Sequence, residues 1–215
     1  MTVIHDILAS APGLSAWSFV TLCLMSFLTS AVSAAFGLGG GAALLAVMAS
    51  LLPPIAIIPT HAVVQVGSNF FRALMMWRNI LFTWMPAFVV GTVIGAVAGG
   101  HVVFALPKYA LQAIIGVFVL YAVWGPQIRA TQPSHLTFGI VGALASFATM
   151  FAGATGPLIA PFVKASAGDR MGIVATHAAF MSWQHGVKIL TFGFLGFAFA
   201  PYVELLVAMI LFGIV

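Results

Sequence analysis

Charge is what this sequence has least of. Of its 215 residues only Asp6, Asp169 and Glu204 are acidic, and seven are Lys or Arg. Soluble domains carry about 25% charged residues; here the figure is 5%. Such a chain cannot cover a water-facing surface, so a soluble domain is excluded. The basic residues are too sparse for a nucleic-acid face. Paired carboxylates are missing, as are a phosphate loop and a nucleophile elbow, so the sequence is not that of an enzyme. Cysteine is down to Cys23, which cannot form an intrachain disulfide and reads as a small buried hydrophobe. The histidines lack tight ligand spacing and have no carboxylate with them, so neither a metal nor another cofactor is expected. A basic leader is also missing: Met1 to Ala11 has no Lys or Arg and contains Asp6, unlike a secretory signal.

What is present is apolar sequence. Hydrophobic residues make up 63% of the chain, and the mean hydropathy is +1.20. The runs are apolar on every side, without the alternation of a membrane β-barrel. A spanning helix needs about 20 apolar residues. Runs near 15–36, 57–78, 82–105, 107–124, 134–152, 172–196 and 199–215 meet that length or approach it. Two shorter pieces, 38–52 and 156–167, end at Pro53-Pro54 and at Gly168-Asp169-Arg170, and read as half-helices or re-entrant segments. The expected fold is an all-α integral membrane protein with seven to nine membrane segments. The polar connector "GPQIRATQPS" divides it into a first repeat at 1–124, a loop at 125–134 and a second repeat at 135–215. Arg78, Lys108 and Arg129 fall in three successive connections, so the distribution of positive charge leaves the topology open.

The two halves match without gaps, 116 residues apart. Gly37 pairs with Gly153, Gly40 with Gly156, Thr60-His61-Ala62 with Thr176-His177-Ala178, and Arg72 with Lys188. Asn69 faces His185 in this register, and Ser30 has an identical partner. Repeats, inverted or parallel, that carry paired helix interruptions point to a secondary transporter with its site between the repeats. The interruptions are Gly39, Gly40 and Gly41 in the first half and Thr155 and Gly156 in the second, where Ala154 and Thr155 stand in place of the glycine run. A helix broken there would turn backbone N–H groups and the positive end of a helix dipole into a cavity, which suits an anion. Gly91, Gly95 and Gly99 recur at i, i+4, i+8 and read as a packing face instead.

Polar side chains then follow at helical spacing. Gln65, Asn69 and Arg72 form one stripe with Ser68; Gln184, His185 and Lys188 form the other. A cation in the bilayer costs at least about 2.5–3.5 kcal/mol and faces a cavity or a partner, or else snorkels to the interface. With so few carboxylates, an anion is the natural counter-charge. His61, His177 and His185 can donate to an oxyanion or carry a proton. The bland alternative for both stripes is interhelical hydrogen bonding. Trp17, Trp77, Trp84 and Trp124 sit near span ends and suit interface anchoring.

The stretch "GLGGG" after a first span, then "IIPTHAVVQVGSNFFR", then "FAGATGPLIAPFV" and "ATHAAFMSWQHGVK", resembles the TauE/SafE family, the sulfite-exporter or toluene-sulfonate-uptake permeases. The resemblance runs from about residue 15 to 215. It implies a multi-pass transporter of the cytoplasmic (inner) membrane for sulfite or organosulfonates such as sulfoacetate. Alternating access would take place around a site between the repeats. The expected site residues are Gly39, Gly40, Gly41, His61, Gln65, Asn69, Arg72, Thr155, Gly156, His177, Gln184, His185 and Lys188. The partners this reading admits are a small anionic substrate, membrane lipid, a coupling proton and a second copy in a homodimer, but no nucleic acid. An anion channel and a non-transporting membrane scaffold are the rival readings.

Overall fold

The computed structural model describes residues 11–36, 39–103, 106–126, 130 and 134–214. Gly37, Arg129 and the stretch from Met1 to Ser10 lie outside the described residues. Among the described residues there are nine α-helices, three short 3-10 turns and no strand. In chain order they are α1 (Ala16–Phe36), α2 (Gly40–Leu51), α3 (Pro54–Met75), α4 (Met85–Val103), α5 (Lys108–Trp124), α6 (His135–Ala152), α7 (Gly156–Ser166), α8 (Arg170–Phe194) and α9 (Val203–Gly213).

The starts of these helices follow local chemistry. Pro54 occupies the first turn of α3, where its missing N–H costs nothing. Asp169 caps α8, its Oδ1 accepting from Gly172 N at 2.7 Å, and Ser134 Oγ caps α6 by accepting from Thr137 N at 3.0 Å. Both α3 and α8 therefore begin two or three residues earlier than the apolar runs at 57–78 and 172–196 imply. Hydropathy discounts proline and charged residues that a helix start accepts. The helices Ala16–Phe36 and His135–Ala152, and the segment Phe82–Val103, are long and apolar enough to cross a membrane. The short pieces are helices of 12 and 11 residues. At about 1.5 Å per residue they reach roughly half of a ~30 Å hydrocarbon layer.

Helix bounds recur 116 residues apart: α1 ends at Phe36 and α6 at Ala152, α2 begins at Gly40 and α7 at Gly156, and α3 begins at Pro54 and α8 at Arg170. The packing crosses between the halves. The closest helix pairing sets α4 on α6, and the corresponding helices α9 and α1 also pack together. The α4–α6 seam explains the glycine face. A methyl built on Gly91 would stand 2.0 Å from Gly139 O, and one on Gly95 would stand 2.0 Å from Ala143 O, so only glycine lets the backbones approach this closely. In the α1–α9 seam, Ser26 Oγ donates to Met209 O and Ser30 Oγ to Gly213 O, each at 2.7 Å. Helices α3 and α8 pack on each other, with Ala73, Ala178 and Ala179 buried at their contact. Helix α5 lies outside, with Ile115 its one buried residue. Apolar side chains such as Leu28, Ile94, Leu120 and Leu144 are left facing outward, as lipid requires. Trp17, Trp77 and Trp124 are exposed, whereas Trp84 stacks on Phe138 with ring centroids 5.2 Å apart and so packs as well as anchors.

Candidate anion site between the broken helices

Both helix interruptions open on one cavity. Gly39, Gly41 and Ala42 line it from the start of α2, and Ala154, Gly156 and Pro157 from the start of α7. Gly39 sits at φ 100°, a left-handed conformation that favours glycine and lets α2 start right after α1. Gly153 makes the corresponding break after α6 at φ 79°. The first N–H groups of each half-helix have no carbonyl one turn back to bond, and the helix ends that carry them, with the positive end of the dipole, border the cavity at Gly41 and Gly156. Pro157 removes one of these donors from α7.

The repeated histidines do the same work in each half. His61 Nε2 donates to Gly41 O at 2.8 Å, tying the first turn of α2 to α3. His177 Nε2 donates to Gly156 O at 3.3 Å, tying the first turn of α7 to α8. His185 meets His61 edge-on, with ring centroids 5.6 Å apart. Gln65, Asn69 and Arg72 line the same cavity with the three histidines. Asn69 Nδ2 donates to Gln65 Oε1 at 3.1 Å, which fixes both amides along the wall.

Arg72 is buried and does not snorkel. It turns inward, donating from Nη2 to Ser30 Oγ at 3.0 Å and Ser30 O at 3.3 Å and from Nη1 to Asn69 Oδ1 at 3.4 Å. Its Nε is buried without a partner. Lys188 is 0% exposed and donates to Gly153 O at 2.6 Å and Thr149 Oγ1 at 2.9 Å. Every one of these partners is neutral, so among the described residues both cations are buried without a carboxylate. A buried charge in that condition calls for a counter-ion.

Four of the thirteen expected site residues stand behind the cavity wall. Gly40 is pressed on α1, where a methyl would lie 1.8 Å from Thr29 O. Thr155 Oγ1 donates to Gln184 Oε1 at 3.0 Å, and Gln184 Nε2 donates to Ser146 Oγ at 3.1 Å. These two side chains brace the second break, and Lys188 holds the end of α6 beside it. The other nine line the cavity. Sequence reasoning missed the hydroxyls that seat the cations, Ser30 and Thr149, and the cavity residue Ser33. Ser33 and Thr149 are themselves 116 residues apart. A search for shared hydroxyls, rather than identities, would have found them.

The family model described as Sulfite exporter TauE/SafE matches residues 22–215. The chain belongs to the TauE/SafE family. The match takes in both breaks, both polar stripes and both histidine tripeptides. A TauE/SafE protein is a multi-pass membrane transporter of sulfur anions. The paired cations and half-helix starts of this chain lie within that frame. The chain matches no curated protein and no solved structure.

Proposed function

We propose that this TauE/SafE chain is a secondary transporter that moves sulfite or an organosulfonate such as sulfoacetate by alternating access around the cavity between α2, α3, α7 and α8. The observation that carries the reading is the lining itself: Arg72, three histidines, two amides and two half-helix N-termini converge, with no acidic residue in the wall among the described residues. A sulfur oxyanion offers several acceptor oxygens and one or two negative charges, which match N–H donors arrayed on several sides. Arg72 and the backbone N–H groups balance the charge, Gln65, Asn69 and the histidines orient it, and Lys188 adds positive potential from behind the wall.

The cavity is small, about 30 Å³, room for about two waters. That is tight for a four-atom oxyanion, so the walls must part for the anion to settle between them. The matched helix bounds support descent of the halves from one repeated unit. The crossed packing suggests what moves: α1 with α9 forms one body, α4 with α6 the other, and α3–α8 lies between them. Rigid bodies that rock about a central site are the usual form of alternating access in repeat-built transporters.

The test is counterflow in liposomes that contain the purified protein. Labelled sulfite should enter vesicles preloaded with sulfite or sulfoacetate, saturably, and chloride should not compete. No saturable flux of either anion would sink the substrate reading. Linear flux above about 1,000 ions per second would favour a channel instead.

A further inference from the structure

We infer that His61 takes up a proton together with the anion, so that protons and substrate cross together; this rests on the anion-transport reading above. The argument starts from one hydrogen bond. His61 Nε2 faces the carbonyl oxygen of Gly41 at 2.8 Å. A carbonyl only accepts, so Nε2 carries the hydrogen. A neutral imidazole has a single N–H, so Nδ1 is left with a bare lone pair. That Nδ1 is buried and has no hydrogen-bond partner, and His61 is 0% exposed. An unpaired acceptor at this depth is costly. Protonation alone would leave an unpaired N–H there; with an anion in the cavity that His61 lines, the new N–H gains an acceptor, and the bond to Gly41 that holds the first turn of α2 is kept.

The charge around the ring links proton binding to the anion. His185 lies edge-on to His61, with its own Nδ1 unpartnered. His177 and Arg72 line the same cavity, and Lys188 follows His185 by one helical turn on α8. Helices α1 and α2 bring no charged side chain to this wall, and Lys164 of α7 is not among its lining residues. Among the described residues, every formal charge near His61 is therefore positive. Arg72 and Lys188 repel a further cation, and a bound anion removes that repulsion. Anion and proton then favour each other's binding by the same factor, whichever arrives first. The proton comes from water, forms an N–H bond with the Nδ1 lone pair, and returns to water on the far side when the anion leaves.

The test uses the full chain in liposomes with a lumenal pH dye and a clamped membrane potential. The probes are labelled sulfoacetate, fully ionised near neutral pH, and sulfite at alkaline pH, where the dianion dominates. In the parent protein each anion moved should bring about one proton with it, and an inward acid gradient should drive accumulation. In His61→Gln, whose amide can still donate to Gly41 O, anion flux should fall and the ratio of protons to anions should drop toward zero. Anion flux without proton uptake in the parent overturns the coupling and leaves the transport reading intact. An unchanged ratio in His61→Gln overturns the assignment to His61. Absence of counterflow for both probes in the parent removes the transport reading, and the coupling with it.

Discussion

Replacing Arg72 by Gln tests the anion site most directly. The guanidinium carries five N–H donors. Three contacts are made from Nη1 and Nη2 to Asn69 and Ser30, and Nε is buried without a partner. At least one N–H is therefore left without a protein partner on a side chain that lines the cavity. A charge-assisted hydrogen bond is worth about 1.5–3 kcal/mol net. At about 1.4 kcal/mol per decade, losing one raises KM roughly 10- to 100-fold. The fold should survive, because Ser30 Oγ keeps its bond to Gly213 O. Arg72→Lys should recover part of the loss, since it restores the charge but not the planar fork. The assay is sulfite counterflow over a range of concentrations, with a melting curve on the same preparations. A KM within about threefold of the parent in a folded Arg72→Gln protein would refute the reasoning, because the nearest cation would then contribute no binding energy.

Two further outcomes follow from the packing. Lys188→Met should raise KM by less than Arg72→Gln, since Lys188 stands behind the wall. Its melting temperature should change little: Thr149 Oγ1 still donates to Gly153 O at 3.1 Å, and the cost of a buried charge is removed. Thermal melts and counterflow on the one variant check both. Gly40→Ala would set a methyl 1.8 Å from Thr29 O and 2.4 Å from Ser33 Oγ. Overpacking of this kind costs about 1–3 kcal/mol, or roughly 2–12 °C in melting temperature for a chain of this length. Gly116→Ala, with nothing within 4 Å of the new methyl, should leave the melt unchanged or raise it, because alanine is the better helix residue by about 1 kcal/mol.

The sequence alone determined a good deal, for physical reasons that are local. Scarcity of charge dictates a lipid-facing exterior, and run length fixes the helices, because backbone groups in lipid must be satisfied within the segment. The breaks could be read at Gly39–Gly41 and Gly153–Gly156 because glycine and proline punctuate a helix whatever surrounds it. The histidine tripeptides, repeated in register, were legible as a pair, and both tie the start of a half-helix. Helical spacing also put Gln65, Asn69 and Arg72 on one face, and that face lines the cavity.

Only the tertiary structure decided which groups meet across helices. Spacing gives the face of a helix, not its neighbour. It could not say that Lys188 turns to the end of α6 while its counterpart Arg72 lines the cavity. The choice depends on where the Gly153 carbonyl and the Thr149 hydroxyl come to lie. Nor could spacing show that Arg72 is seated on Ser30, 42 residues away in the chain, and so stays inside instead of reaching for the interface. The crossed pairing of α4 with α6 and α9 with α1 depends on backbone approach at Gly91 and Gly95 and on the serine bonds to Met209 and Gly213. Those are relations between distant segments, and no single stretch of the chain contains them.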